Sequence, residues 1–118
     1  MGIANRTKDE SCQRFVSMTI QLLCMNANVR KAIIKENGLG QFLSLSFQKT
    51  LEYKICAAMS LYLLSSDEEN RSYLAQEALD PLLELCKVHT LDARRKAMCA
   101  LANLADSLDA HDALVKTN

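Results

Sequence analysis

TLEYKICAAMSLYLLS, Thr50 to Ser65, and TLDARRKAMCALANLA, Thr90 to Ala105, are one pattern written twice at a spacing of forty residues. Thr50 and Thr90, Leu51 and Leu91, Ala57 and Ala97, Leu61 and Leu101, and Leu64 and Leu104 stay in register. Each copy spaces its apolar residues at three and four positions, which predicts an amphipathic helix. Units of this length cannot bury an apolar face alone and must stack on a neighbour, so a fixed period of this size is the mark of a helical solenoid. The informative features of such a chain are its surfaces.

The register continues upstream. Gly38-Leu39-Gly40-Gln41-Phe42-Leu43-Ser44-Leu45 lies over Ala78-Leu79-Asp80-Pro81-Leu82-Leu83-Glu84-Leu85, and Ile34 lies over Leu74 and then Leu114. Near the N-terminus the shift is forty-one, placing Met18, Ile20, Leu22 and Leu23 over Met59, Leu61, Leu63 and Leu64. The chain therefore divides into a tail at 1–9, the last helix of a partial unit at 10–25, full units at 26–65 and 66–106, and the opening of a further unit at 107–118.

Local signals split each full unit into three helices. Ser66-Asp67-Glu68-Glu69 has the form of a capping box, with the Ser66 hydroxyl accepting a backbone N–H and Glu69 reaching back, and a short helix is predicted to run from it to about Gln76. Asp80 before Pro81 predicts an N-cap and a first-turn proline, starting a helix over 81–88. The third helix follows Thr90 and sets Ala93, Ala97, Ala100, Leu101 and Leu104 on one packing face. In the preceding unit the helices are predicted over 29–36, 41–48 and 51–64, with Gly38 as a left-handed C-terminal glycine.

Composition supports one compact, nearly all-helical domain: 118 residues, 49% hydrophobic, with only three Gly and one Pro to interrupt helices. The net charge of zero, without long runs of one sign, lacks the electrostatic footprint of a nucleic-acid or membrane-surface binder and points to protein partners. Arg94-Arg95-Lys96, with Arg30, Lys31 and Lys35, is the one basic grouping that would suit phosphate or an acidic partner, and in a chain of zero net charge a solvated helix end is the preferred reading of it.

Five cysteines, an odd number without a Cys-x-x-Cys pair, read as free thiols of a reducing compartment. Cys86-x-x-His89 with Cys99 lacks a fourth ligand, so neither metal nor cofactor is expected. No signal peptide or apolar run of spanning length occurs, which places the chain in the cytoplasm, with nucleus and cytoskeleton as the other compartments it admits. The triplets Asn5-Arg6-Thr7 and Asn70-Arg71-Ser72 then never meet a glycosylating lumen, and Arg6 spoils a myristoylation start at Gly2.

Asn70, Leu74, Ala78-Leu79-Asp80-Pro81, Leu82-Leu83-Glu84-Leu85 and Ala100-Leu101-Ala102-Asn103-Leu104 together resemble an armadillo repeat: a short helix opening with Asn, a Gly-Ala-Ile-Pro-like turn, a Leu-Val-x-Leu-Leu helix and a long helix ending Ala-Leu-x-Asn-Leu. The other full unit resembles it through Ile34, Gly38, Leu39, Phe42, Leu43, Leu45, Ala57, Leu61 and Leu64, and the likeness covers roughly residues 10 to 118. HEAT repeats, pairs of helices of similar period, share part of the pattern. The resemblance implies an all-α, right-handed α-solenoid of three-helix repeats, without catalysis, whose third helices line a concave groove for extended peptides or other proteins. Import receptors of this family use an Asn near the end of each third helix and a Trp one turn earlier. Only Asn103 matches, with Leu63 and Leu22 in the equivalent places and no Trp in the chain, so binding of a nuclear-localisation signal is not implied.

The stripe expected to face that groove runs Phe15, Met18 and Leu22 on the first third-helix, Cys56, Met59 and Leu63 on the second, and Lys96, Cys99 and Asn103 on the third. Two apolar rows side by side make a protein-binding surface if open, and methionine lets it re-pack around different partners. The same stripe would be covered if the helix phase were one position off.

No Gly-rich phosphate loop, paired carboxylates outside the capping segment or nucleophile beside a histidine appears, and His111 next to Asp109 and Asp112 reads as a surface position. Ser65 and Ser66 ahead of Asp67-Glu68-Glu69 resemble an acidic-directed phosphorylation site. The expectation is a non-catalytic protein-interaction scaffold. The alternative is a structural subunit or fragment packed permanently in a larger assembly, for example a cytoskeletal or ciliary one, or a HEAT-like adaptor. Opening inside one unit and stopping inside another, the chain also predicts association through open repeat ends.

Overall fold

The computed structural model describes residues 3–106. Seven α-helices and one 3₁₀ turn follow one another: α1 (Ile3–Cys24), α2 (Ala27–Lys35), α3 (Leu39–Leu45), α4 (Leu51–Ser65), the turn Glu68–Asn70, α5 (Arg71–Glu77), α6 (Leu79–Leu85) and α7 (Leu91–Ala105). No strand occurs among the described residues, and none of these helices is long and apolar enough to cross a membrane.

The forty-residue period is visible in the backbone itself. α3 and α6 have seven residues each and start at Leu39 and Leu79, while α4 and α7 have fifteen each and start at Leu51 and Leu91. Thr50 and Thr90 enter those long helices with matching extended backbones, φ −71° and ψ 122° against φ −73° and ψ 121°. α4 lies in the middle, packed on α1 along one flank and on α7 along the other, and α3 and α6 lean on α4 and α7 respectively.

Alanines make that packing close. Ala57 and Ala58 of α4 and Ala93, Ala97 and Ala100 of α7 are all buried, so the backbones approach without large side chains between them. Leu61, Leu64 and Leu104, with Leu74, Leu82, Leu85 and Leu39 from the shorter helices, fill the remaining space at 1% exposure or less. Leu101 is half-buried and packs against the same core. Each fully buried leucine contributes roughly 1.5–3 kcal/mol through area removed from water.

Several turns differ from the sequence expectation, each because a different group takes the work. The segment 1–9, read as a tail, is helical from Ile3. The capping box does not form: Ser66 lies at the end of α4 and its hydroxyl donates to the Tyr62 carbonyl (3.2 Å), while Asp67 enters the 3₁₀ turn without a side-chain cap. α6 begins at Leu79 rather than Pro81, which puts Asp80 and Pro81 inside its first turn, and it ends at Leu85. Asn26 caps α2, its side-chain oxygen accepting from the Asn28 and Val29 amides at 2.8 and 3.1 Å.

The left-handed residue after α2 is Asn37, φ 59°, not Gly38. The Gly38 amide donates to the Ile33 carbonyl (2.7 Å) and the Asn37 amide to the Ile34 carbonyl (3.3 Å), which is the paired bonding of a Schellman end. Glycine is needed at 38 for closeness instead of handedness, since a Cβ there would meet the Ile33 oxygen at 3.2 Å.

Arg30 is the clip that holds the first full unit to the next. Its guanidinium grips both Asp67 oxygens (2.7 and 3.2 Å) and donates to the Cys24 carbonyl (2.8 Å), joining the end of α1, α2 and the segment after α4. Its side chain is 12% exposed and its guanidinium is occupied, so Arg30 is not a free member of the basic grouping formed with Arg94-Arg95-Lys96, Lys31 and Lys35.

Candidate functional site

The seam between α1 and α4 sets the geometry of a depression with a strongly apolar lining. α1 meets α4 through small side chains, Ser17 and Cys24 against Cys56 and Ser60, all at 1% exposure or less. Small residues at the seam bring the helices together at their bases, and the longer side chains flanking the seam stand up as walls. The result is a depression of about 330 Å³ between Met18, Gln21, Leu22 and Met25 of α1 and Met59, Tyr62 and Leu63 of α4.

Its far end is closed by α7. Lys96 reaches across so that its ammonium lies 4.5 Å from the centre of the Tyr62 ring, a cation–π contact that orders both side chains. Lys96 is the only charge lining the depression and has no carboxylate within ion-pair distance among the described residues.

Of the expected stripe, the fold brings together Met18, Leu22, Met59, Leu63 and Lys96. Cys56 is corrected: it is fully buried in the α1–α4 seam, its sulfur 3.9 Å from the Ser60 hydroxyl. The reason is that α4 is covered on two flanks, so a position one turn before the groove still falls inside the seam. Phe15 and Cys99 are exposed but line no part of the depression. Asn103 is tied down, its amide donating to the Ser65 hydroxyl (3.1 Å), which itself donates to the Tyr62 carbonyl (2.6 Å). That chain fixes the wall of the depression instead of offering a free amide.

Gln21, Met25 and Tyr62 line the site and were missed. Met25 follows Leu22 by three residues, so continuing that row by one turn finds it, whereas Tyr62 follows Met59 by three where the α4 row stepped by four to Leu63.

The buried thiols are shielded. Burial pushes the Cys24 thiol up, partly offset by the Ser60 hydroxyl and the Arg30 charge, and burial likewise raises Cys56, with the Ser60 hydroxyl opposing. Burial also raises Cys86. A raised thiol stays protonated and unreactive at neutral pH. No group of three or more potential metal ligands clusters among the described residues, and His89 and Cys99 are both exposed to solvent. Ser66 is exposed beside Glu68 and Glu69, whereas Ser65 is buried. His111, Asp109 and Asp112 lie outside the described residues.

Comparison with protein-family models, with curated proteins and with solved structures yields no match to this chain.

Proposed function

We propose that the chain is part of an armadillo-type right-handed α-solenoid and acts as a non-catalytic protein-interaction scaffold, taking an apolar segment of a protein partner in the depression between α1 and α4. Support for the architecture comes from the recurrence of α3 and α4 as α6 and α7 at the same bounds forty residues on, and from the side-by-side order of α1, α4 and α7. Support for the binding role rests on one observation, the convergence of Met18, Leu22, Met25, Met59 and Leu63 around a depression with a single charge at its end.

The occupant follows from size and lining. A depression of about 330 Å³ lies at the low end of the ~300–1,000 Å³ range of ligand sites and holds a few large apolar side chains, not a folded domain. Three methionines let those walls re-pack around different side chains. Free thiols, with Cys12 and Cys99 exposed and unpaired, suit a reducing compartment and favour a cytoplasmic location.

The test is a peptide-display selection against the purified chain. Selected peptides are expected to carry large apolar residues and to lose tenfold or more in affinity, about 1.4 kcal/mol, on Met59→Glu or Leu63→Lys while helical circular dichroism is unchanged. If either variant unfolds the chain, the stripe is core and the groove reading is wrong; if affinity is unchanged, the partner sits elsewhere.

A further inference from the structure

We propose that the protein segment seated in the depression between α1 and α4 carries an aspartate or glutamate beside its large apolar residues, and that Lys96 selects it by pairing with that carboxylate. The inference rests on the groove reading above and adds the charge of the occupant to it. Lys96 belongs to α7, yet its ammonium lies over the Tyr62 ring of α4, 4.5 Å from the ring centre. Asp92 stands four residues before Lys96 on the same helix, the order in which an acid and a base support a helix best. Lys96 forgoes that pair, and no other carboxylate lies within ion-pair distance of it among the described residues.

The result is a cation aimed at the depression with room for an anion. An ammonium has three N–H donors and no acceptor, and the ring face satisfies it from one side only. The Lys96 side chain is half-buried and ordered by Tyr62, so part of the rotamer freedom that a lysine loses on binding is gone before a partner arrives. Every other lining side chain is neutral and most are apolar, so this single charge sets the field that a ligand meets there. Charge complementarity then asks for one carboxylate among apolar groups.

That carboxylate belongs to an Asp or Glu side chain. A chain-terminal carboxylate is captured by nests of free backbone N–H groups, but the walls here are stretches of α1, α4 and α7 whose amides are taken by helix and turn bonds. A fatty acid would also present a carboxylate, yet Met18, Leu22 and Met25 are 57–67% exposed, so an alkyl tail laid between them would keep one side in water. A peptide lowers its apolar side chains between the same walls and leaves its polar backbone in solvent.

Parallel random-peptide display selections against the purified full chain and its position-96 variants test this. The wild type is expected to enrich peptides in which Asp or Glu accompanies large apolar residues. Lys96→Gln should enrich the same apolar residues without the acid, Lys96→Glu should enrich Lys or Arg in its place, and Lys96→Arg, which keeps the charge, should keep the preference. For the tightest wild-type peptide, replacing its acid by the neutral amide should weaken binding to the wild-type chain about fivefold, as an ion pair at a partly exposed site does, and leave binding to Lys96→Gln unchanged. Wild-type peptides without an acid, or an acid preference that persists in Lys96→Glu, overturn the proposal. Laurate that displaces the peptide from the wild type but not from Lys96→Glu makes the occupant a fatty acid and also overturns it. Apolar peptides that lose affinity in Met59→Glu yet show no acid preference leave the groove in place and remove only the role of Lys96, whereas binding indifferent to Met59→Glu removes both.

Discussion

Leu63 and Leu64 are neighbours in sequence, and the fold assigns them opposite roles, which makes alanine substitution at each a sharp test. Leu64 is fully buried within the central core, whereas Leu63 lines the open depression and is partly exposed. Leu64→Ala removes three carbons, worth ~2.4 kcal/mol at about 0.8 kcal/mol per methylene. A cavity that the packed alanines around it cannot close adds to this, and buried Leu→Ala changes fall between about 2 and 5 kcal/mol. The expected loss is about 3–4 kcal/mol, a large part of the 5–15 kcal/mol that holds an ordinary domain together. Leu104→Ala, its counterpart forty residues on and equally buried, should cost a similar amount. Leu63→Ala loses only the partial burial of a groove wall and should cost about 1 kcal/mol or less. Urea unfolding followed by circular dichroism reads all three, with a midpoint shift at constant slope as the signature of a pure stability change. Equal costs at 63 and 64 would refute the division between core and groove, and a mild Leu64→Ala would refute the packing of α4 as the central helix.

Three further outcomes follow from the polar contacts and the thiols. Arg30→Ala should cost about 1.5–3 kcal/mol, because it strands the Asp67 carboxylate and the Cys24 carbonyl, whereas Arg14→Ala, removing a long and exposed contact with Glu52, should cost no more than about 0.5 kcal/mol in the same unfolding assay. Alkylation read by mass spectrometry should label Cys12 and Cys99 first and leave Cys24 and Cys56 protected until unfolding. Since burial raises Cys24, Cys56 and Cys86, the unfolded chain loses those protons first, so stability should hold below the ordinary thiol value of about 8.5 and decline as pH rises above it; a urea midpoint that rises over that range would contradict the burial.

The long helices and their register were legible because periodic apolar spacing is a local property. Ala93, Ala97, Ala100 and Leu104 were placed on the packing face of α7, and all four are buried. α7 carries Asp92 and Arg95 away from that face, both exposed, so its phase is legible. α4 is apolar around most of its circumference, and sequence alone could not separate the flank that meets α1 from the flank that borders the depression. Cys56 fell on the wrong side for that reason. The turn chemistry failed in a related way: Ser66 and Asp67 satisfy a capping pattern, yet the Tyr62 carbonyl takes the Ser66 hydroxyl and Arg30, thirty-seven residues away from Asp67, takes the carboxylate.

The sequence by itself determined an all-helical chain, the forty-residue period and most of the residues that repeat as core, because these depend on spacing along one helix. Only the tertiary structure decided that Met18, Leu22, Met59 and Leu63 meet with Tyr62 and Lys96 around one depression, that Cys56 is sealed in the seam, and that Asn103 is bonded to Ser65. Those outcomes depend on how close α1 and α7 come to α4. That distance is set by small residues on separate helices acting together, a property no single stretch of sequence contains.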